Sequence, residues 1–179
     1  MTRTQRLAGM TAFIAMMGAA AAQAEVVETG PSHFRLRSTQ PIAASPARVY
    51  EALGEVGRWW SDAHTYSGTA ANMTMPLKAN ACFCETLPNG GSVRHGVVAL
   101  AWPDQGMVRV EAALGPLQDE GVTAALYFHV KAKDGGSELV MTYNVGGARP
   151  AMVAAAPVID GVLVEQATRL KRYLETGRP

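Results

Sequence analysis

Three side chains in the middle of the chain have the chemistry to move protons: His64, His95 and Glu85. Imidazole titrates near neutral pH, which suits general acid–base work. A glutamate buried on a strand is pushed upward and can then act as an acid. Alternation along a strand puts Glu85 on the face opposite Cys84, whereas the pair Arg94-His95 leaves open which of the two points inward. No G-x-S-x-G nucleophile elbow occurs, so acyl-transfer chemistry of that kind has no support. Asp62 and His64 stand two apart without the spacing of a preferred metal site, so no metal is expected and no cofactor is called for.

A second set of residues suits holding a ligand. Trp59 and Trp60 each offer a large apolar face and one N–H donor. Two adjacent indoles cannot both face one way on a helix, so at most one is expected to line a cavity. Met73, Met75 and Met141 fall on or beside strands, where thioethers conform to irregular apolar shapes or simply fill a core. Arg109, if it points inward, could hold a carboxylate or phosphate through two hydrogen bonds; outward it is only solvated. Val162 lies on the apolar stripe of the last helix. Cys84 and its neighbour Cys82 are the two cysteines of the chain. Residues two apart in a strand share a face, with Cα atoms near the roughly 7 Å limit for a disulfide, so a bond between them needs distortion. They read as two small buried apolar side chains, with a metal or redox pair as the alternative.

The elements that position these residues follow from periodicity. Residues 33–38 alternate polar and apolar, a strand with Phe34 and Leu36 on one face. Ser45-Pro46 supplies an N-cap and a proline at the first helical position, and the helix it opens stops at Gly54. Residues 56–62 suggest a second short helix. From 72 the period becomes two, with strands expected near 72–77, 80–87, 93–102, 106–114, 122–132 and 137–146. Short Gly/Pro/Asn/Asp turns between them imply antiparallel hairpins. The chain closes with an amphipathic helix carrying Ile159, Val162, Leu163, Leu170 and Tyr173. It starts or kinks at Pro157, has Gly161 where a strand or ligand could approach, and has Glu165 and Arg169 four apart as mutual support. Strands run together and helices are segregated, so the fold class is α+β.

Here the pattern becomes specific. The run Ser45-Pro-Ala-Arg-Val-Tyr-Glu-Ala-Leu53 followed by Trp59-Trp60, the strand meander with Gly-rich turns, and the Glu165–Leu174 helix resemble the START-like (SRPBCC, helix-grip) superfamily. The segments 81–85 and 88–92 resemble its polyketide cyclase-like or chaperone-ATPase-activator-like bacterial branch. The resemblance spans roughly 33–175. It implies a curved antiparallel sheet of about six to seven strands wrapped around the C-terminal helix, with two short helices after the first strand and a cavity between sheet and helix. The superfamily holds carriers, receptors, cyclases and co-chaperone domains, so the fold alone does not choose an activity.

Residues 1–24 carry a different message. Arg3 and Arg6 form a basic start, 7–22 is apolar, and Ala22-Gln23-Ala24 ends in small residues, the layout of a secretory signal peptide. The apolar run is too short and Gly/Ala-rich for a stable membrane span. Cleavage after Ala24 removes two arginines and no acid, turning the formal net charge from +1 to −1. No basic stripe remains, which argues against nucleic acid as a partner. The expected organisation is thus a leader at 1–24, a flexible lead-in at 25–32 and a single START-like domain at 33–176. The expected function is a periplasmic or secreted protein holding an apolar or amphipathic small molecule. The alternative is a cyclase or dehydratase-like enzyme using the same cavity. Export separates the chain from cytosolic ATP-driven chaperones and ranks a co-chaperone role last.

Overall fold

The computed structural model describes residues 23–179. The expected leader lies outside the described residues except for its last two, which begin the first strand. Eight antiparallel strands form one sheet: β1 (Gln23–Gly30), β2 (His33–Ile42), β3 (Met73–Thr74), β4 (Cys82–Thr86), β5 (Ser92–Trp102), β6 (Met107–Glu111), β7 (Thr123–Lys133) and β8 (Gly136–Gly146). Their order across the sheet is β1-β2-β8-β7-β6-β5-β4-β3. The centre is the β2–β8–β7 ladder, in register from His33 opposite Gly146 to Ile42 opposite Ser137. Strict alternation puts Phe34, Leu36, Ser38, Gln40 and Ile42 of β2 on the inner face.

The segment 25–32, expected as a loose lead-in, is instead most of β1 and its hairpin turn, which raises the strand count from six or seven to eight. Pro31 sits in the tight turn that pairs Gly30 with His33. Glu28 pairs across the hairpin with His33 at 3.2 Å and Arg35 at 3.4 Å, so this edge strand carries charge on its outer side. Its polarity is what hid it from a search for apolar alternation.

The helices follow the cap chemistry. In α1 (Pro46–Gly54) the Ser45 hydroxyl accepts from Arg48 N at 3.3 Å, and Val49, Tyr50, Ala52 and Leu53 are buried. The expected second short helix is two single 3-10 turns, Val56–Arg58 and Asp62–His64. Pro150 opens α2 (Pro150–Ala154), and after a break at Ala155 comes α3 (Ala156–Thr176). The inner stripe of α3 is Ala156, Asp160, Leu163, Gln166, Ala167, Leu170 and Tyr173, the three-to-four spacing of one helix face.

Polar residues on and beside that stripe tie α3 to the rest of the chain. The Tyr173 hydroxyl donates to Glu55, and Arg48 grips both Glu55 oxygens at 2.8 and 2.9 Å. With Arg48 and Tyr173 beside it, the Glu55 carboxyl is held down to about 2. The Gln166 side chain accepts from Ser61 N at 2.8 Å, while Arg169 donates to the carbonyls of Trp59 and Trp60 at 2.9 and 3.2 Å. Arg169 is therefore spent on the loop backbone, and Glu165 pairs with His64 at 3.1 Å, so the expected Glu165–Arg169 support is replaced by contacts to the 56–64 segment.

Gly161 faces outward, and a Cβ there would meet nothing within 4 Å, so no strand packs against it. Glycine inside a helix costs roughly 1 kcal/mol against alanine. Gly161→Ala is expected to raise unfolding free energy by about 0.5–1 kcal/mol in a urea titration. A loss of stability would mean that the outer face of α3 is covered.

Candidate functional site

Between α3 and the sheet lies a cavity of about 500 Å³. Ile159, Val162 and Leu163 of α3 and Tyr143 of β8 form its apolar side, with Trp60, Leu114 and Pro116 from the loops. The polar atoms come from His64, Thr65, Tyr66, His95 and Asp119. Tyr66 donates its hydroxyl to Gln118 Oε1 at 3.3 Å, which links the two mouth loops.

The cavity's polar corner is built from β4 and β5. In β4 the inward residues are Phe83 and Glu85, and Glu85 is completely buried. In β5 the pairing steps from Phe83 opposite Gly96 to Cys84 opposite Arg94, leaving His95 as one extra residue. That bulge resolves the Arg94-His95 ambiguity. Counting back from inward Val98 by twos would leave His95 outside; the extra residue turns it inward and Arg94 outward. Gly96 lets β6 come close, since a Cβ there would stand 2.6 Å from both Ala112 Cβ and Glu111 O.

Glu85 then collects three donors. His95 Nε2 lies 2.9 Å from Oε2, Tyr66 N donates to Oε2 at 3.1 Å, and Ser67 N donates to Oε1. Burial alone pushes this carboxyl up, but the hydrogen bonds from Ser67, Tyr66 and His95 outweigh it and hold the group below its ordinary value. An ionised carboxylate only accepts, so Nε2 carries a proton, and in the neutral form of the ring Nδ1 is an acceptor. The ring sits between Phe83 and Tyr66, with centroids 5.1 and 5.9 Å away. At the rim, hydrogen bonds from Ser61 and His64 hold Glu165 low against the raising effect of burial.

His64, His95 and Glu85 are thus brought to one end of one cavity. Trp60 and Val162 border it. Trp59 does not: its indole is 1% exposed and donates to Ala52 O at 2.8 Å as part of the core against α1. Met73 and Met75 are buried core residues outside the lining, and Met141 borders only a small void beside Asp160. Arg109 is exposed on the outer face, because Val108 and Val110 take the inner positions of β6. Asp62 closes its own loop by accepting from Ala70 N at 2.7 Å.

Cys84 is on the outer face and is disulfide-bonded to Cys82, which corrects the reading of two buried thiols. The Cα atoms are 5.3 Å apart, closer than a regular pleat sets them, at the point where the β4–β5 register shifts. Among the described residues, no group of three or more His, Cys, Asp or Glu side chains gathers as metal ligands.

Sequence reasoning missed Tyr66, Leu114, Asp119, Tyr143 and Leu163. Tyr143 was visible in principle, sharing the inward parity of Leu139 and Val145 on β8. Its hydroxyl accepts from Leu114 N at 3.0 Å and donates to Ala112 O at 2.9 Å, and burial pushes the phenol upward. A second, more open depression of about 780 Å³ is bordered by Glu28, His33, Arg35, Glu111 and Asn144. Its charged groups largely satisfy one another: Glu28 pairs with His33 and Arg35, and Arg35 donates to Asn144 at 2.9 Å.

No protein-family model and no curated protein matches the sequence. Solved structures do match. A structural-genomics target protein from Rhodobacter sphaeroides aligns with a TM-score of 0.55 and 19% identity over 88% of this chain and 100% of that one. The Aha1 protein of Colwellia psychrerythraea, solved as a dimer, gives 0.57 and 17% over 81% and 98%. DynU16, a protein of the dynemicin biosynthetic locus, gives 0.57 and 18% over 81% of this chain but only 48% of its own length. The fold is a helix grip. At these identities the likeness speaks for architecture alone. Among the described residues no helix is long and apolar enough to cross a membrane.

The three donors on Glu85 give a prediction. In Glu85→Gln the amide NH₂ would face N–H groups, leaving a buried donor unpaired. Urea unfolding at pH 7 is expected to show a loss of about 1–3 kcal/mol. Because folding depresses this carboxyl, its stabilisation is full above the ordinary glutamate range and is lost as pH falls through its lower folded value. The stabilities of the wild type and the E85Q variant should therefore converge in acid. Equal stabilities at pH 7 would contradict the network.

Proposed function

We propose that this chain is an exported binding protein that holds an apolar or amphipathic small molecule between α3 and the sheet. The observation that carries the reading is the 500 Å³ cavity with an apolar wall on α3 and polar atoms gathered at the His95 end. That size and polarity are typical of small-molecule sites. The basic start, apolar core and Ala-x-Ala exit of residues 1–24 support export.

The Glu85-oriented His95 supports a second reading, an acid–base enzyme of the cyclase or dehydratase kind. Here Nδ1 would take a proton from a bound substrate while Glu85 stabilises the imidazolium. Such a reaction also needs a second group converging on the same substrate atom. The other titratable side chains of the lining are committed or peripheral: His64 pairs with Glu165, and Asp119 is exposed at the rim. This favours holding over transforming.

Native mass spectrometry of protein released from the periplasm tests the proposal. A chain starting at Glu25 with a reproducible co-purifying small molecule is the expected result. An unprocessed cytoplasmic chain would overturn export, and a clean apo mass with no thermal shift across an amphiphile panel would overturn binding. Val162 is half-buried on the cavity wall. Val162→Asn should leave the fold intact and weaken binding about tenfold or more, since an amide placed against an apolar ligand loses its water.

A further inference from the structure

The one Asp, Glu, Lys or Arg among the described residues lining the cavity is Asp119, and it is negative. Glu85, Glu165 and Asp119 stand at or just behind its polar end, and among the described residues lining the cavity there is no lysine or arginine. The two histidines bring no free positive charge. Each has its Nε2 against a carboxylate, His95 on Glu85 and His64 on Glu165, so a charge on either ring would already be matched. The arginines that could have served are committed elsewhere. Arg169 is spent on the Trp59 and Trp60 carbonyls, Arg109 faces outward, and Arg149 is paired with Glu120 at 2.7 Å. The lining also includes the aromatic rings of Trp60, Tyr66 and Tyr143, and aromatic faces attract positive charge.

We infer that the ligand's polar end is a cationic nitrogen, protonated or alkylated, and that amphiphiles ending in a carboxylate are excluded. The inference rests on the binding reading above and names its ligand class. A carboxylate brought to this end would meet Asp119 and Glu165 with no lysine or arginine of the lining to accept it, in a partly desolvated space where like charges repel strongly. A trialkylammonium or ammonium head meets the opposite situation: fixed negative charge, aromatic faces, and no donor left unpaired by its arrival. The apolar tail then lies along Ile159, Val162 and Leu163.

The test uses three probes with the same ten-carbon tail below their micellar concentrations: decyltrimethylammonium, decanol and decanoate. Their affinities for the purified mature protein are measured by calorimetry at low and high salt. The expected order is cation, then alcohol, then carboxylate, with at least about tenfold between the first and last and a gap that narrows as salt screens it. Asp119 is exposed at the rim, so Asp119→Lys spares the fold; it should lower the affinity for the cation and raise that for decanoate. Decanoate binding as tightly as the cation overturns this inference and leaves the binding reading standing. No binding by any of the three overturns both. Unchanged affinities for both the cation and decanoate in the Asp119→Lys variant also overturn it, by showing that rim charge does not select the ligand.

Discussion

A carboxylate with no contact to water organises this molecule. Burying an ionised group costs several kcal/mol unless its lone pairs are matched, so Glu85 is tolerable only with its donors in place. Those donors come from two parts of the chain: the adjacent backbone amides of Tyr66 and Ser67 in the loop, and the His95 ring on the neighbouring strand β5. Their convergence shapes the mouth. The 60–67 loop is drawn over the open side of the sheet, and His95 is held with its second nitrogen unspent. Removing the charge removes the reason for both.

The long helix completes the enclosure from the other side. Its inner apolar stripe would by itself seat it on the sheet, but apolar packing does not dictate a loop's path. That is done by polar residues on the same flank: Glu165, Gln166, Arg169 and Tyr173 reach His64, Ser61, the tryptophan carbonyls and Glu55 respectively. The segment 55–64 bonds locally through its two 3-10 turns, and α3 side chains satisfy Ser61 N and the Trp59 and Trp60 carbonyls between them. The cavity is what remains where this strapped segment, the 114–119 loop and α3 fail to meet.

Much of this was legible in the residues. Ser45-Pro46 reads as a helix start because the hydroxyl and the fixed proline φ act locally, and the central strands read clearly because their alternation is strict. The candidates His64, His95 and Glu85 were singled out by type. Their arrangement was not legible, because a bulge belongs to the pairing of two strands and leaves no mark in the alternation of either. For the same reason a bond between Cys82 and Cys84 reads as needing distortion: the shift of register supplies that distortion, and a regular pleat would not. Arg109 and the methionines were misplaced because residue type suggests suitability for a pocket, whereas parity and packing decide access to it. β1 escaped because an edge strand facing solvent needs charge rather than an apolar face.

The proposed function makes one spatial claim, that an amphiphile binds between α3 and the sheet, beside His95. Amide NMR shift mapping during titration with decyltrimethylammonium tests this most directly. The account predicts shifts concentrated in 60–67, 114–119 and 159–163 and at His95, with Glu28, Arg35 and Asn144 unmoved. Shifts gathered instead around Glu28, Arg35 and Asn144, over the open depression, would contradict it.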